Sequence, residues 1–155
     1  MIKKIVLLGF LYLFLSNCGY TPIYSKKNQN FKISSIETSG EVKTNMLLSN
    51  KFKMYKDNPV AEKSLYLSMN SVITKTTIAK DKKGNPTQFS IDLTISLKII
   101  DDLNNITETK FSEKSTFDNS DNKFDLKKYE DNLIENMTEK IFSEMILYIQ
   151  TKSLT

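Results

Sequence analysis

One cysteine, Cys18, sits in "LSNCGYTPIY", the stretch from Leu15 to Tyr24, where a hydrophobic run stops abruptly. A lone thiol there has three uses: packing, reactivity, or attachment of a covalent group. The remaining side chains able to do chemistry are acids, lysines and tyrosines. The 155-residue chain has no histidine. That removes Ser-His-Asp and Cys-His nucleophile pairs and the commonest base at neutral pH. It also removes imidazole ligands, and one thiolate cannot build a zinc site. The acid pairs Asp101–Asp102 and Glu108–Glu113 could be nominated for acid–base work. No surrounding motif supports them, and they read as turn and edge-strand charges. The expectation is a protein that is not an enzyme and holds no metal or small-molecule cofactor.

A third group of candidates is basic. Lys80, Lys82 and Lys83 crowd the segment "KDKKGNP". They read either as a solvated turn kept soluble by its charges or as a positive fingertip that meets an anionic partner. The formal net charge is +4, and every basic side chain is a lysine. Phosphate-reading surfaces favour the bidentate fork of arginine, so a sequence-specific nucleic-acid interface is not expected.

The N-terminus has the shape of a processing signal. Lys3 and Lys4 precede an uncharged apolar run, Ile5 to Leu15. As a helix that run spans about 16 Å, against the ~30 Å of a bilayer core. A basic start and a short apolar core form a secretory signal. The run ends in "LSNC", which resembles the lipobox of bacterial lipoproteins, with Leu15, Ser16 and Cys18 in register. Asn17 departs from the smaller residue preferred before the cysteine. The resemblance implies a signal peptide over residues 1–17 and a lipidated tether over 18–29. It also implies a diacylglycerol thioether on Cys18, with palmitate-type acyl chains. Two or more chains give stable anchoring where one does not. Gly19 is not the Asp typical of inner-membrane retention, so the outer membrane is the expected location.

Past the tether, the periodicities predict one domain over 30–152. "NFKISSIE" gives a first strand with Phe31 and Ile33 on one face and Ile36 out of phase. Gly40 breaks it. Val42, Met46, Leu48, Phe52 and Tyr55 follow at helical spacing, with Thr38–Ser39 as a cap. Pro59 ends that helix. Strands are predicted over Lys63–Lys80 and Thr87–Ile100. The second is the clearest element, with Phe89, Ile91, Leu93, Ile95, Leu97 and Ile99 alternating against polar residues. "ITETKFSEKSTF" gives a charged edge strand. A final helix carries Leu126, Tyr129, Leu133, Met137, Ile141, Met145 and Tyr148, with Asp125 as N-cap and Phe124–Tyr129 as a hydrophobic staple. The fold class is α+β: a two-layer sandwich in the order β-α-β-β-β-α, with a four-stranded mixed sheet and two helices on one face.

The two central strands outrun their support. The longer reaches roughly 55 Å, and a first helix of about 17 residues covers only ~25 Å. Lys75 and Thr77 occupy core-phase positions. The distal hairpin is therefore expected to project from the core or bend.

The lipobox, the run Cys18, Gly19, Tyr20, Pro22, Ile23 and Tyr24, and the element order together resemble the LPS-assembly lipoprotein family, LptE. The resemblance implies an outer-membrane lipoprotein, on the periplasmic side, that plugs and assists assembly of the LptD β-barrel. It implies a part in lipopolysaccharide insertion into the outer leaflet. The implied partners are an LptD-type barrel, lipopolysaccharide, and the membrane through the lipid anchor. Lys80, Lys82 and Lys83 are candidate lipopolysaccharide contacts from position and charge. The alternative is an accessory lipoprotein of a periplasmic, MCE-type lipid-transport system.

Overall fold

The computed structural model describes residues 30–56 and 58–153. The predicted signal peptide, the tether and Cys18 lie outside the described residues. The elements are β1 (Phe31–Gly40), α1 (Val42–Phe52) continued by a 3-10 turn (Lys53–Tyr55), β2 (Lys63–Lys80), β3 (Pro86–Ile100), β4 (Ile106–Asp118) and α2 (Lys123–Ser153). The strands lie in sequence order, β1 parallel to β2 and the rest antiparallel. This is the expected four-stranded mixed sheet with two helices.

Both helices pack on the odd-numbered face of β3. Ile91, Leu93, Ile95 and Leu97 are fully buried there, beside Leu65, Leu67 and Met69 of β2. The even-numbered face, from Asp92 to Lys98, is half-buried and has no helix over it, which gives β3 its alternation there; Ser90 is buried like Ile91 beside it. Leu48, Phe52 and Tyr55 meet Ile141, Phe142 and Met145 of α2 in one core. Tyr55 stacks on Phe31 at 5.8 Å, and Phe52 meets Phe142 edge-on at 5.0 Å. Such aromatic pairs add about 0.5–1.5 kcal/mol each beyond their buried area.

Several expectations change. Ile36 looked out of phase because β1 carries a bulge between Ile33 and Ser35. The extra residue re-phases the strand, so Ile36 packs on the core beside Leu67. Helix α1 is shorter than expected, and its inward stripe is partly polar. Val42 and Met46 are exposed, while Thr44, Asn45, Leu48 and Phe52 are buried. The cause is a polar staple: Asn45 Nδ2 donates to the Ser39 carbonyl at 2.8 Å, and the Ser71 hydroxyl donates to Asn45 Oδ1 at 2.9 Å. Thr38 and Ser39 stay in β1 and do not cap α1, whose N-cap is Glu41.

The N-cap of α2 is Asn122, not Asp125. Asn122 Oδ1 accepts the amides of Phe124 and Asp125, and its Nδ2 donates to Asp125 Oδ2 at 2.6 Å. Asp125 thus sits in the first turn, where its charge favours the helix dipole. Phe124 points to solvent at 77% exposure, so it does not staple Tyr129.

The distal hairpin does not project as a bare two-stranded finger. β4 accompanies β3 out to Gln88↔Asp118. The 31-residue α2, about 46 Å long, reaches back over this half as well. Lys75 turns from a core-phase misfit into a contact: its ammonium lies 2.6 Å from Glu130 and over the rings of Phe89 (4.5 Å) and Phe117 (5.2 Å).

Candidate functional site

The turn that joins β2 to β3 is built by one side chain. Asp81 Oδ1 accepts the amides of Lys83 and Asn85, and its Oδ2 accepts from Asn85 Nδ2. The Gly84 amide donates to the Asp81 carbonyl at 3.0 Å, and Gly84 takes φ +88°. This is a type I turn closed by a left-handed residue, the usual three-residue hairpin solution. The Asn85 side chain and amide hold the Asp81 carboxyl below its ordinary range. Its oxygens are occupied by the turn, and Lys80, Lys82 and Lys83 stand exposed around it with no ion pair among the described residues. The three predicted lysines are thus gathered on one rigid tip.

Next to the tip lies a hollow of about 510 Å³ where β4 ends and α2 begins. Phe117, Leu126 and Tyr129 supply its apolar lining, and Asp118 and Asp125 its acidic rim. Phe117 contacts Phe89 at 5.5 Å and Tyr129 at 6.0 Å. The sequence reading missed this hollow because, Gln88 apart, its walls lie between Thr116 and Tyr129 and face each other only across the corner from strand to helix. The lysines of the tip and the aromatic floor of the hollow are thus separate features: the tip suits an anion, and the hollow, with acids on its rim and no lysine in its lining, suits an uncharged apolar group.

The face of the sheet opposite the helices is polar over its middle, with Tyr66, Ile100 and Ile106 in an apolar row across its Lys63 end and Val72 toward its free edge. A shallow depression of about 300 Å³ is lined by Ser68, Asn70, Ser96, Lys98, Glu108 and Lys110, among others. The cross-strand pair Lys98–Glu108 lies in its lining and Lys114–Asp92 farther along the same face, both at 3.4 Å. Such a surface is content in water or against a polar wall, and unsuited to lipid.

The acids considered for catalysis are engaged elsewhere. Asp101 builds the β3–β4 turn by accepting from Leu103, Asn105 and the Asn105 side chain. Asp102 Oδ2 accepts the Ser64 amide at 2.7 Å. Glu108 pairs with Lys98, and Glu113 with Lys140 of α2 at 2.6 Å. Among the described residues no group of acids or thiols could hold a metal ion. No described helix is long and apolar enough to cross a membrane.

The same two-layer sheet-and-helix fold occurs in solved structures of bacterial lipoproteins. The rare lipoprotein B of Shewanella oneidensis matches with a TM-score of 0.61 at 9% identity, over 77% of this chain and 96% of that one. An uncharacterized lipoprotein B from Nitrosomonas europaea matches at 0.56 and 9% identity, over 80% and 90% of the two chains. A minor lipoprotein from Acinetobacter baumannii matches at 0.52 and 9% identity, over 77% and 92%. At these identities the likeness is one of fold. No protein-family model and no curated protein matches the sequence.

Proposed function

We propose that this chain is an outer-membrane lipoprotein, anchored through Cys18, that plugs and assists assembly of an LptD-type β-barrel. In that role it takes part in delivering lipopolysaccharide to the outer leaflet and catalyses no reaction. The observation that carries the reading is a coincidence: a lipobox-like "LSNC" precedes a domain that shares its fold with bacterial lipoproteins. The polar sheet face suits the polar lumen of a large barrel. The tip lysines suit the phosphates of lipid A through charge-assisted hydrogen bonds, and the aromatic hollow beside them suits an apolar neighbour. Lipidation supplies the anchor, with two or more acyl chains needed for stable attachment.

Pull-down of the full tagged chain from solubilised envelopes should recover a large barrel protein, and depletion should leave that barrel misassembled. Recovery of inner-membrane transporter subunits alone would replace this reading with the MCE-type accessory role. Mass spectrometry of the mature N-terminal peptide should show diacylglycerol on Cys18; an unmodified N-terminus sinks the anchor. Replacing Lys80, Lys82 and Lys83 by Glu should weaken lipopolysaccharide binding at low salt.

A further inference from the structure

The sheet changes width at Gly40. β1 pairs with β2 from Phe31↔Lys63 to Gly40↔Ser71. The Glu41 amide then donates to the Ser71 carbonyl at 3.1 Å, the last bond on that side. A Cβ on Gly40 would lie 1.9 Å from the same carbonyl oxygen, so the chain leaves the sheet where only glycine fits. β2 runs on to Lys80 with β3 as its one remaining neighbour among the described residues.

Register with β3 is unbroken from Tyr66 to Thr77. The outward carbonyl of Ser71 therefore sets the phase: the N–H and C=O groups of Ile73, Lys75 and Thr77 point away from β3. No described residue bonds to them. Edge protection here is confined to the inward Lys75 and a register shift beyond Thr77, which leaves Val72–Thr77 itself regular. β4 covers its own edge with Glu108, Lys110, Glu113 and Lys114, and β1 carries its bulge. The free stretch of β2 reads "VITKTT", β-branched apart from Lys75. The Lys75 ammonium is drawn onto the helix face by Glu130, leaving the edge clear. Val72 and Ile78 expose 48% each along it.

We propose that the Val72–Thr77 edge of β2 is a strand-docking site for an extended segment of a separate polypeptide, acidic at the end that meets the hairpin tip. Outward N–H and C=O groups repeat every second residue, about 6.6 Å apart, a spacing that another strand's backbone matches. Charge selects the occupant. The open lane ends at Lys80, Lys82 and Lys83, and residues 72–80 contain no acid. A second copy of this edge therefore brings nothing to neutralise those lysines, whereas Asp or Glu on a foreign strand does. The inference stands apart from the nature of the barrel or of any lipid.

Hydrogen exchange on the full chain in detergent tests it, with two synthetic peptides as probes. Both alternate Val and Thr; one ends in two Glu residues, the other in two Lys. The Glu peptide should slow exchange at the Ile73, Lys75 and Thr77 amides roughly tenfold. It should leave Thr74 and Thr76, already bonded to β3, unchanged, and the Lys peptide should act far more weakly. Thr77→Pro removes an outward N–H that β3 does not use and should abolish the protection. Independently of that variant's folding, a Glu peptide N-methylated on its β2-facing amides should have no effect. No slowing at millimolar Glu peptide, or equal slowing by both probes, overturns the proposal. So does protection of the three amides without peptide: concentration-dependent protection assigns the edge to a second copy, and concentration-independent protection assigns it to the chain itself.

Discussion

The two ends of the β2–β3 pair share one alternation and one kind of turn, yet one end is locked and the other is open. At the Lys63 end β1 fills the outer lane, and the Phe31, Tyr55, Phe52 and Phe142 rings join strand, helix and helix. At the Lys80 end the packing is half wet: Lys75 on Phe89 and Phe117, with Tyr129 beside them. The turns show the same contrast. "DKKGN" and "DDLNN" close with identical hydrogen bonds, Asp at the first position and Asn at the fifth. One takes its left-handed residue from Gly84, the other from Asn104 at φ 61°. Local pattern makes the strand and the turn, and neighbours decide how tightly each is held.

Truncation measures that contrast most sharply. Phe52→Ala at the locked end should cost about 3–5 kcal/mol in denaturant unfolding. Phe89→Ala at the open end should cost only about 1–2 kcal/mol, since its ring is half-buried. Equal losses would erase the distinction. At the boundary, Gly40→Ala combines a positive φ with a collision against Ser71, and should cost about 2–4 kcal/mol. Gly84→Ala meets no atom within 4 Å and should cost only the strain of its backbone, about 1 kcal/mol.

Smaller effects refine the picture. Lys75→Met keeps an apolar stem on the two rings but loses Glu130, and should cost about 0.5–1 kcal/mol. Asn104→Gly should stabilise the locked turn by a few tenths of a kcal/mol or more. Asp81 and Asp101 both have carboxyls held below their ordinary range by Asn85 and Asn105. Each contributes stability that is present above the unfolded value, about 3.9, and is lost as pH falls through the lower folded value. An acid melting series should thus show a limb below pH ~4 that flattens in the Asp81→Asn, Asp101→Asn double variant. Last, the triple Lys80, Lys82, Lys83→Glu change should leave unfolding free energy within about 0.5 kcal/mol, separating binding from stability.

How far the sequence carried depends on whether a signal is local. The alternation of β3 was plain, because period two sustained over a long run fits a strand and little else; β2 was legible from Leu65, Leu67 and Met69 and from the turn signal "DKKGNP" that closes it. The bulge at Ser34 was visible only as an Ile36 out of phase. The inward Asn45 was hidden, since its partner Ser71 lies on another strand. Asn122 and Asp125 are both good caps, and only geometry chooses between them. The expectation of a projecting hairpin weighed the first helix alone; α2 covers the second half. The tip lysines were legible as a cluster, whereas the hollow beside them and the open edge of β2 arise from where other elements stop.

The matched turns also fix a length. β3 has 15 residues between them, about 50 Å of strand, and neither turn has slack to shorten it. The chain enters the sheet at the Lys63 end, where the Asn30 carbonyl accepts the Lys63 amide at 3.1 Å. Lys80, Lys82 and Lys83 therefore stand about 50 Å from the point where the chain enters the sheet, slightly more than the ~40–45 Å thickness of a whole bilayer. The sheet is in this sense a ruler: entry point and charged tip sit at opposite ends of one strand length.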